Sequence, residues 1–313
     1  MVDQARRFRF GVAAHAVASA QRWRDLARQT EDLGYATLLL PDHANPQLAP
    51  IPGLLAAALC TTTLRVGTQV LDNDNRNPVI AAKEVASIDL LTDGRFDWGM
   101  GAGWLTSDYE ATGIAFEPPK VRLERLMEAV TVMRGLFAGG PVDFDGEHYT
   151  VRGALGDPRP VQSPHPPLLL GGSRRRLLSY AGREADIVSI SPSWESRRIL
   201  GADPTIGVEE SMERQIGWIR EAAGTRFGEI ELSLTVMPVE VTETPGAAFE
   251  RIAPNLGLTP EQARVSPHLL VGSVSEICDA LLARRERWGL SNIVVPVGAL
   301  ARFAPVVARL AGA

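Results

Sequence analysis

Eight short runs rich in apolar and β-branched residues are spaced along the 313-residue chain, each followed by a longer stretch with helical periodicity. The runs are Phe8–Ala14, Ala36–Pro41, Leu64–Val70, Arg95–Gly101, Pro167–Gly171, Asp186–Ile190, Ile230–Val236 and Asn292–Val297. This alternation builds a parallel sheet from βα units, and near-continuous apolar runs are buried on both of its faces. Eight such units are what a closed barrel needs. The expectation is therefore an α/β fold, a TIM (β/α)8 barrel with insertion segments, forming one domain over residues 1–313.

The punctuation between the runs supports this reading. Ser19 is placed to cap the first helix, Asn77-Pro78 opens another with proline at its first position, and Pro118-Pro119 opens a long one. Three stretches break the rhythm. Residues 140–166 contain FDGEHYTV, which reads as a hairpin turning at Asp145-Gly146. Residues 191–207 form a long loop. Residues 242–267 are irregular except for a short helix at TPEQAR.

A formal net charge of −5 gives no basis for binding nucleic acid or an anionic membrane. No apolar run is long enough to span a bilayer, and MVDQARRFRF lacks the apolar core of a signal peptide, so the expected compartment is the cytoplasm. Cys60 and Cys278 sit in apolar helical stretches and read as reduced thiols. No metal-ligand spacing and no Ser-His-Asp arrangement occurs, so no metal is expected.

In a barrel of this kind, chemistry gathers just past the carboxyl ends of the strands. The second run ends in Asp42-His43, a carboxylate beside an imidazole, which is either a proton relay or a turn and cap. The third ends in Gly67-Thr68-Gln69-Val70-Leu71, followed by the polar stretch DNDNRNP. The fourth ends in Gly99-Met100-Gly101-Ala102-Gly103-Trp104, where glycines allow either close ligand approach or tight packing. The fifth runs into Gly171-Gly172-Ser173 and three arginines at a helix start, a phosphate site by its donors or a solvated basic turn. His15 can enter the site, whereas His148, His165 and His268 read as surface or loop residues.

LLLPDH, the block VGTQVLDNDNRNPVIAAKEVASIDLLTDGRFDWGMGAGW, PHPPLLLGGS and EADIVSI, in this order, resemble the luciferase-like monooxygenase superfamily. The resemblance covers nearly the whole chain. Its closest wording is that of the branch of oxidoreductases using coenzyme F420, an 8-hydroxy-5-deazaflavin. The resemblance implies a homodimer with the coenzyme in the barrel mouth and a non-prolyl cis peptide joining Gln69 and Val70. By motif match it implies catalytic roles for His43 and Asp42. It also implies cofactor contacts from Asp42, Gln69, Val70, Leu71, Gly101, Ala102, Gly103, Gly171, Gly172 and Ser173. The implied activity is hydride transfer between F420 and an organic substrate, with His43 exchanging the proton and Asp42 orienting it or bonding the coenzyme. An FMN-dependent monooxygenase is the first alternative, and a non-catalytic flavin- or deazaflavin-binding protein the second. One departure bears on substrate. The superfamily's sugar-phosphate dehydrogenases carry an acid and lysines past the fourth-strand glycines, but here Trp104 follows and only Lys83 and Lys120 are lysines. With Trp194, this points to an apolar or planar small molecule.

Overall fold

The computed structural model of the chain describes residues 6–15, 18–192 and 208–313. Each of the eight expected runs forms a strand. In chain order the strands are β1 (Arg9–Ala13), β2 (Thr37–Leu40), β3 (Arg65–Thr68), the two-residue β4 (Leu71–Asp72) and β5 (Phe96–Gly101). They continue with the hairpin β6 (Pro141–Asp145) and β7 (Thr150–Leu155), then β8 (Leu168–Gly172), β9 (Ile187–Ile190) and β10 (Glu231–Thr235). The short β11 (Val239–Val241) and β12 (Leu270–Gly272) precede β13 (Leu290–Pro296). The main sheet runs β3-β2-β1-β13-β10-β9-β8-β5-β4, and a further β3–β5 pairing closes the eight long strands into a ring. The fold is the expected (β/α)8 barrel.

The described residues fall into two compact units, one from Met1–Ala13, Thr30–Thr37 and Leu170–Ala313, the other from Ala14–Gln29 and Leu38–Leu169. In the second unit, α1 (Ala20–Asp32) begins as expected, with the Ser19 hydroxyl accepting the Arg22 N–H at 3.2 Å. It is followed by α2 (Pro50–Ala58), α3 (Pro78–Leu91), α4 (Thr106–Thr112) and α5 (Pro119–Ala138). The Asn77 side chain caps α3 through the Val79 N–H, and Pro78 occupies a first-turn position where no donor is needed. All six residues of β5 are buried, as a strand covered on both faces requires. The Asp145-Gly146 hairpin is present, and its turn is tied to α5 by the Glu128 carboxylate, which accepts the N–H groups of Glu147, His148 and Tyr149.

In the first unit, β1, β13, β10 and β9 pair in parallel register. This unit also holds α6 (Arg175–Glu184), α7 (Val208–Ala223), α8 (Pro245–Ile252), α9 (Pro260–Val265), α10 (Val274–Trp288) and α11 (Leu300–Leu310). The stretch over 242–267 is more ordered than expected. Besides the TPEQAR helix (α9), capped reciprocally by Thr259 and Gln262, it contains α8. Phe249, Ile252, Leu256 and Leu269 give this segment a small core of its own. His268 lies in the turn before β12, one of the two places expected for it, and is buried there, which pushes its imidazole down to about 4. Among the described residues, no helix is long and apolar enough to cross a membrane.

Asp89 of α3 anchors the chain leading into β8. Its carboxylate is fully buried and accepts the N–H groups of Val161 at 2.7 Å and Gln162 at 3.0 Å, and the Gln162 amide at 2.7 Å. Asp89→Ala strands these donors. It should lower the unfolding free energy by about 3 kcal/mol or more, with an unchanged denaturant slope. A loss below ~1 kcal/mol in a urea titration would show that the anchor is dispensable.

Candidate active site

The loop after β2 places Asp42 and His43 side by side, but they do not bond to each other. The Asp42 carboxylate accepts the backbone N–H of Asp72 at 3.0 Å and is clamped by both terminal nitrogens of Arg76. His43 instead turns its Nδ1 to Asp108, 2.7 Å from Oδ2, while Asp108 Oδ1 accepts the Ala44 N–H at 3.1 Å. The expectation that Asp42 orients His43 is therefore corrected: Asp108 holds that place, and Asp42 joins the loops after β2 and β3. Asp108 lies three residues into α4, beyond the residues just past the strand end where sequence reading looked for chemistry.

The His43 ring meets the indole of Trp104 edge-on, with centroids 6.0 Å apart, and Trp104 is 54% exposed. Burial first, and the charge of nearby His43 second, push the His15 imidazole below its ordinary value. His15 thus belongs to the same locale, as its position after β1 suggested.

The Gln69–Val70 peptide is cis, at the position implied by the resemblance, and Gln69 and Val70 are half-buried. The Gln69 N–H donates to Leu40 O at 2.9 Å, and β4 then resumes pairing with Met100 and Gly101. Leu71 is fully buried, so its side chain cannot face a coenzyme. The β5 glycines answer to this bulge. A Cβ on Gly99 would fall 2.0 Å from Thr68 O, and one on Gly101 would fall 2.4 Å from Val70 Cγ2. Gly103 has φ +69°, and a Cβ there would strike the Tyr109 hydroxyl at 1.9 Å. Of the two readings left open for these glycines, packing accounts for their lack of side chains. The carbonyls of Ala102 and Gly103 accept from the buried Arg122 guanidinium, which also lies 4.2 Å from the Phe116 ring centroid.

Beneath this turn lies a buried polar cluster that sequence reading took only as a polar loop. Asp74 accepts the Tyr109 hydroxyl at 3.0 Å and pairs with Arg125 at 2.8 Å. Asp72 accepts the Asp74 N–H at 3.0 Å, and no described cation contacts it within ion-pair distance. Burial is the main cause that raises its carboxyl from 3.8 to about 6. The charges of Asp74 and Asp42 add to the rise, while the Asp74 N–H and Arg122 oppose it.

Gly171, Gly172 and Ser173 belong to the other unit. A Cβ on Gly171 would lie 2.9 Å from Ser189, and one on Gly172 would lie 2.5 Å from Leu177 Cδ2. Ser173 O accepts the Gln215 amide at 3.2 Å, and Gly172 O accepts the Ser191 N–H at 3.0 Å. Arg174, Arg175 and Arg176 at the start of α6 are all exposed. Trp194 and most of the long loop over 191–207 lie outside the described residues.

Half-buried Gln69, Val70, Ala102 and Gly103, with the exposed face of Trp104 and the His43 ring, come from three consecutive strand ends joined by the contacts above. An apolar, half-buried Val70 side chain beside backbone groups fits the support of a flat heterocycle. The sequence model of the family described as luciferase-like monooxygenase matches residues 5–211. The F420-dependent glucose-6-phosphate dehydrogenase of Kineococcus radiotolerans is 28% identical over 249 residues, 76% of this chain and 70% of that protein. The coenzyme F420 dependent tetrahydromethanopterin reductase from Methanopyrus kandleri superposes with a TM-score of 0.76 at 18% identity, covering 98% of this chain and 99% of that one. The monooxygenase RslO1 from Streptomyces bottropensis gives 0.73 at 20% identity over 96% and 98%. At such identities, the two structural likenesses establish the fold alone.

The raised Asp72 carboxyl fixes the sign of a pH effect. Folding favours its protonated form, so its favourable contribution is complete below about pH 4 and is lost as pH rises through about 6. Asp72→Asn, neutral throughout, should match wild type at acid pH and become the more stable of the two by up to about 3 kcal/mol at neutral pH. Urea unfolding of both proteins at ~pH 4.5 and ~pH 7 reads the difference, and a gap that stays constant with pH would refute the assignment.

Proposed function

The chain belongs to the luciferase-like monooxygenase family and is an oxidoreductase of that class, and on that premise we propose that it transfers a hydride between coenzyme F420 and an apolar or planar organic substrate. The observation that carries the reading is the His43 ring, held through Nδ1 by Asp108 and edge-on to an exposed tryptophan. F420, when bound, supplies a ring carbon that accepts or donates hydride. The chain's own part is to orient the reactants, exclude water and exchange one proton at His43. Val70 and the backbone at Gln69 and Leu71 would support the ring. The backbone turn at Gly101–Gly103 would serve the phosphate-bearing tail. The name of the Kineococcus relative supports F420, whereas the monooxygenase among the structural neighbours keeps FMN as the alternative.

Separate fluorescence titrations of the purified protein with F420 and FMN should show saturable binding of F420 and none of FMN; the reverse result overturns the choice of coenzyme. His43→Ala should retain F420 binding while turnover of a panel of apolar alcohols and ketones falls by about 100-fold or more. Unchanged turnover removes His43 from the chemistry. A wild-type protein that binds F420 but turns over none of the panel favours the non-catalytic alternative.

We also propose that the chain is a homodimer. Between α2 and α3 runs an open apolar furrow of about 210 Å³ lined by Ile51, Leu55, Ile80, Ile88 and Leu91, and Ile80 and Leu91 are more than half exposed. Ile80→Glu with Leu91→Glu should convert a dimer to a folded monomer in sedimentation equilibrium. A monomeric wild type refutes this arrangement.

A further inference from the structure

We propose that Asp108 is the positioning residue of the site: it locks His43 in the tautomer with hydrogen on Nδ1 and leaves Nε2 as the only proton-exchanging nitrogen. The proposal rests on the reading of His43 as the proton-exchanging group. Neutral imidazole has two tautomers of similar energy, and a partner at one nitrogen decides between them. An ionised carboxylate only accepts hydrogen bonds, so at 2.7 Å from Nδ1 it requires the hydrogen there. No hydrogen bond to Nε2 is seen among the described residues.

The arrangement around Asp108 is built for this use. An acid at the third position of a helix can fold back onto the backbone N–H of the residue before it, but Asp108 makes no such bond to Leu105, whose side chain does not cap α4 either. The Asp108 carboxylate instead reaches across to the loop after β2. It brackets that loop at two points, with Oδ1 on the Ala44 N–H and Oδ2 on the His43 ring. The Asp108 side chain is 7% exposed against 20% for His43, so water competes little for the pair. The two bonds fix both the torsion of the His43 side chain and the identity of the nitrogen left over. When Nε2 takes a proton from a substrate heteroatom, the charge on the ring arises beside a carboxylate already in place.

Asp108→Asn tests the proposal because the amide oxygen can still serve Ala44 while its NH2 group can drive Nδ1 to become an acceptor. Nitrogen-15 shifts of the histidine rings in cofactor-free protein at about pH 8 read the tautomer directly. The His43 resonance is identified by its loss in His43→Gln. Wild type should show a protonated Nδ1 and a bare Nε2, and Asp108→Asn should show the mixed or inverted state. In turnover, Asp108→Asn should lower kcat by about 100-fold or more with KM within about threefold, and Asp108→Glu should recover part of the loss. A wild-type ring protonated on Nε2, or an unchanged ring in Asp108→Asn of unaltered melting temperature, overturns the proposal. If the tautomer shifts as stated but His43→Ala leaves turnover intact, the positioning by Asp108 stands and the proton role of His43 falls.

Discussion

The carboxylate of Asp42 is shared between the Arg76 guanidinium and the backbone N–H of Asp72, and the site depends on that junction. It joins the turn after β2 to the bulge after β3, and Arg76 extends the link into α3 by lying 3.4 Å from Glu84. The pair is largely withdrawn from water, with side chains 19% and 10% exposed. Removing one member would leave the other charge uncompensated, a loss of about 3–5 kcal/mol where such pairs are buried. With Asp42 engaged here, its carboxylate is bonded to Arg76 and Asp72 and not to the neighbouring imidazole. Two carboxylates thus divide the labour: Asp42 holds the loops together, and Asp108 addresses the ring.

The same economy runs through the glycines of β5. The bulge at Gln69–Val70 pushes backbone and side-chain atoms toward the adjacent strand, and Gly99 and Gly101 leave room for Thr68 O and Val70 Cγ2. The Thr68 hydroxyl closes the contact by donating to Gly99 O at 2.8 Å and accepting its N–H at 2.9 Å. The Gly-x-Gly-x-Gly spacing is in this sense an imprint of the neighbouring strand. Its third member differs: Gly103 turns the chain so that its carbonyl faces Arg122 and its α-carbon faces Tyr109. The rim of the site is therefore set by packing one strand against the next and by the polar cluster beneath it.

What the sequence disclosed, and what it withheld, follows from the range of the interactions involved. Strand positions, the Ser19 cap and the Asp145-Gly146 hairpin are decided within a few residues, and the structure has all of them. Of the two roles expected of Asp42, the orienting of His43 does not hold, because adjacency in sequence need not bring a bond. The true partner of His43 is 65 residues away. Helix α8 escaped notice because its Pro-Gly-Ala-Ala start carries little periodicity, and its stability comes from the core it shares with Leu256 and Leu269. The burial of the loop residue His268 has a similarly long-range cause. The carbonyls of its neighbours Ser266, Pro267 and Leu269 are gathered inward by Arg284, a long-range contact with no local signature.

Three arginines of the unit holding His43, Arg76, Arg122 and Arg125, bear on the proposed substrate class, which differs from the sugar phosphate in the name of the Kineococcus relative. A phosphate needs uncommitted donors. Arg76 is engaged by Asp42 and Glu84, Arg125 by Asp74, and Arg122 by the carbonyls of Ala102, Gly103 and Glu117. The two lysines lie elsewhere: Lys83 lines the furrow between α2 and α3, and Lys120, at the start of α5, is 73% exposed beside Glu124. Releasing any of these arginines to a substrate would leave a buried carboxylate or carbonyl without its partner, a cost comparable to what a phosphate contact returns. Trp104, by contrast, has more than half its surface open and offers apolar area with no such penalty. These contacts are what support the proposal of an apolar or planar substrate held by a ring face, with shape and desolvation rather than charge as the source of selectivity.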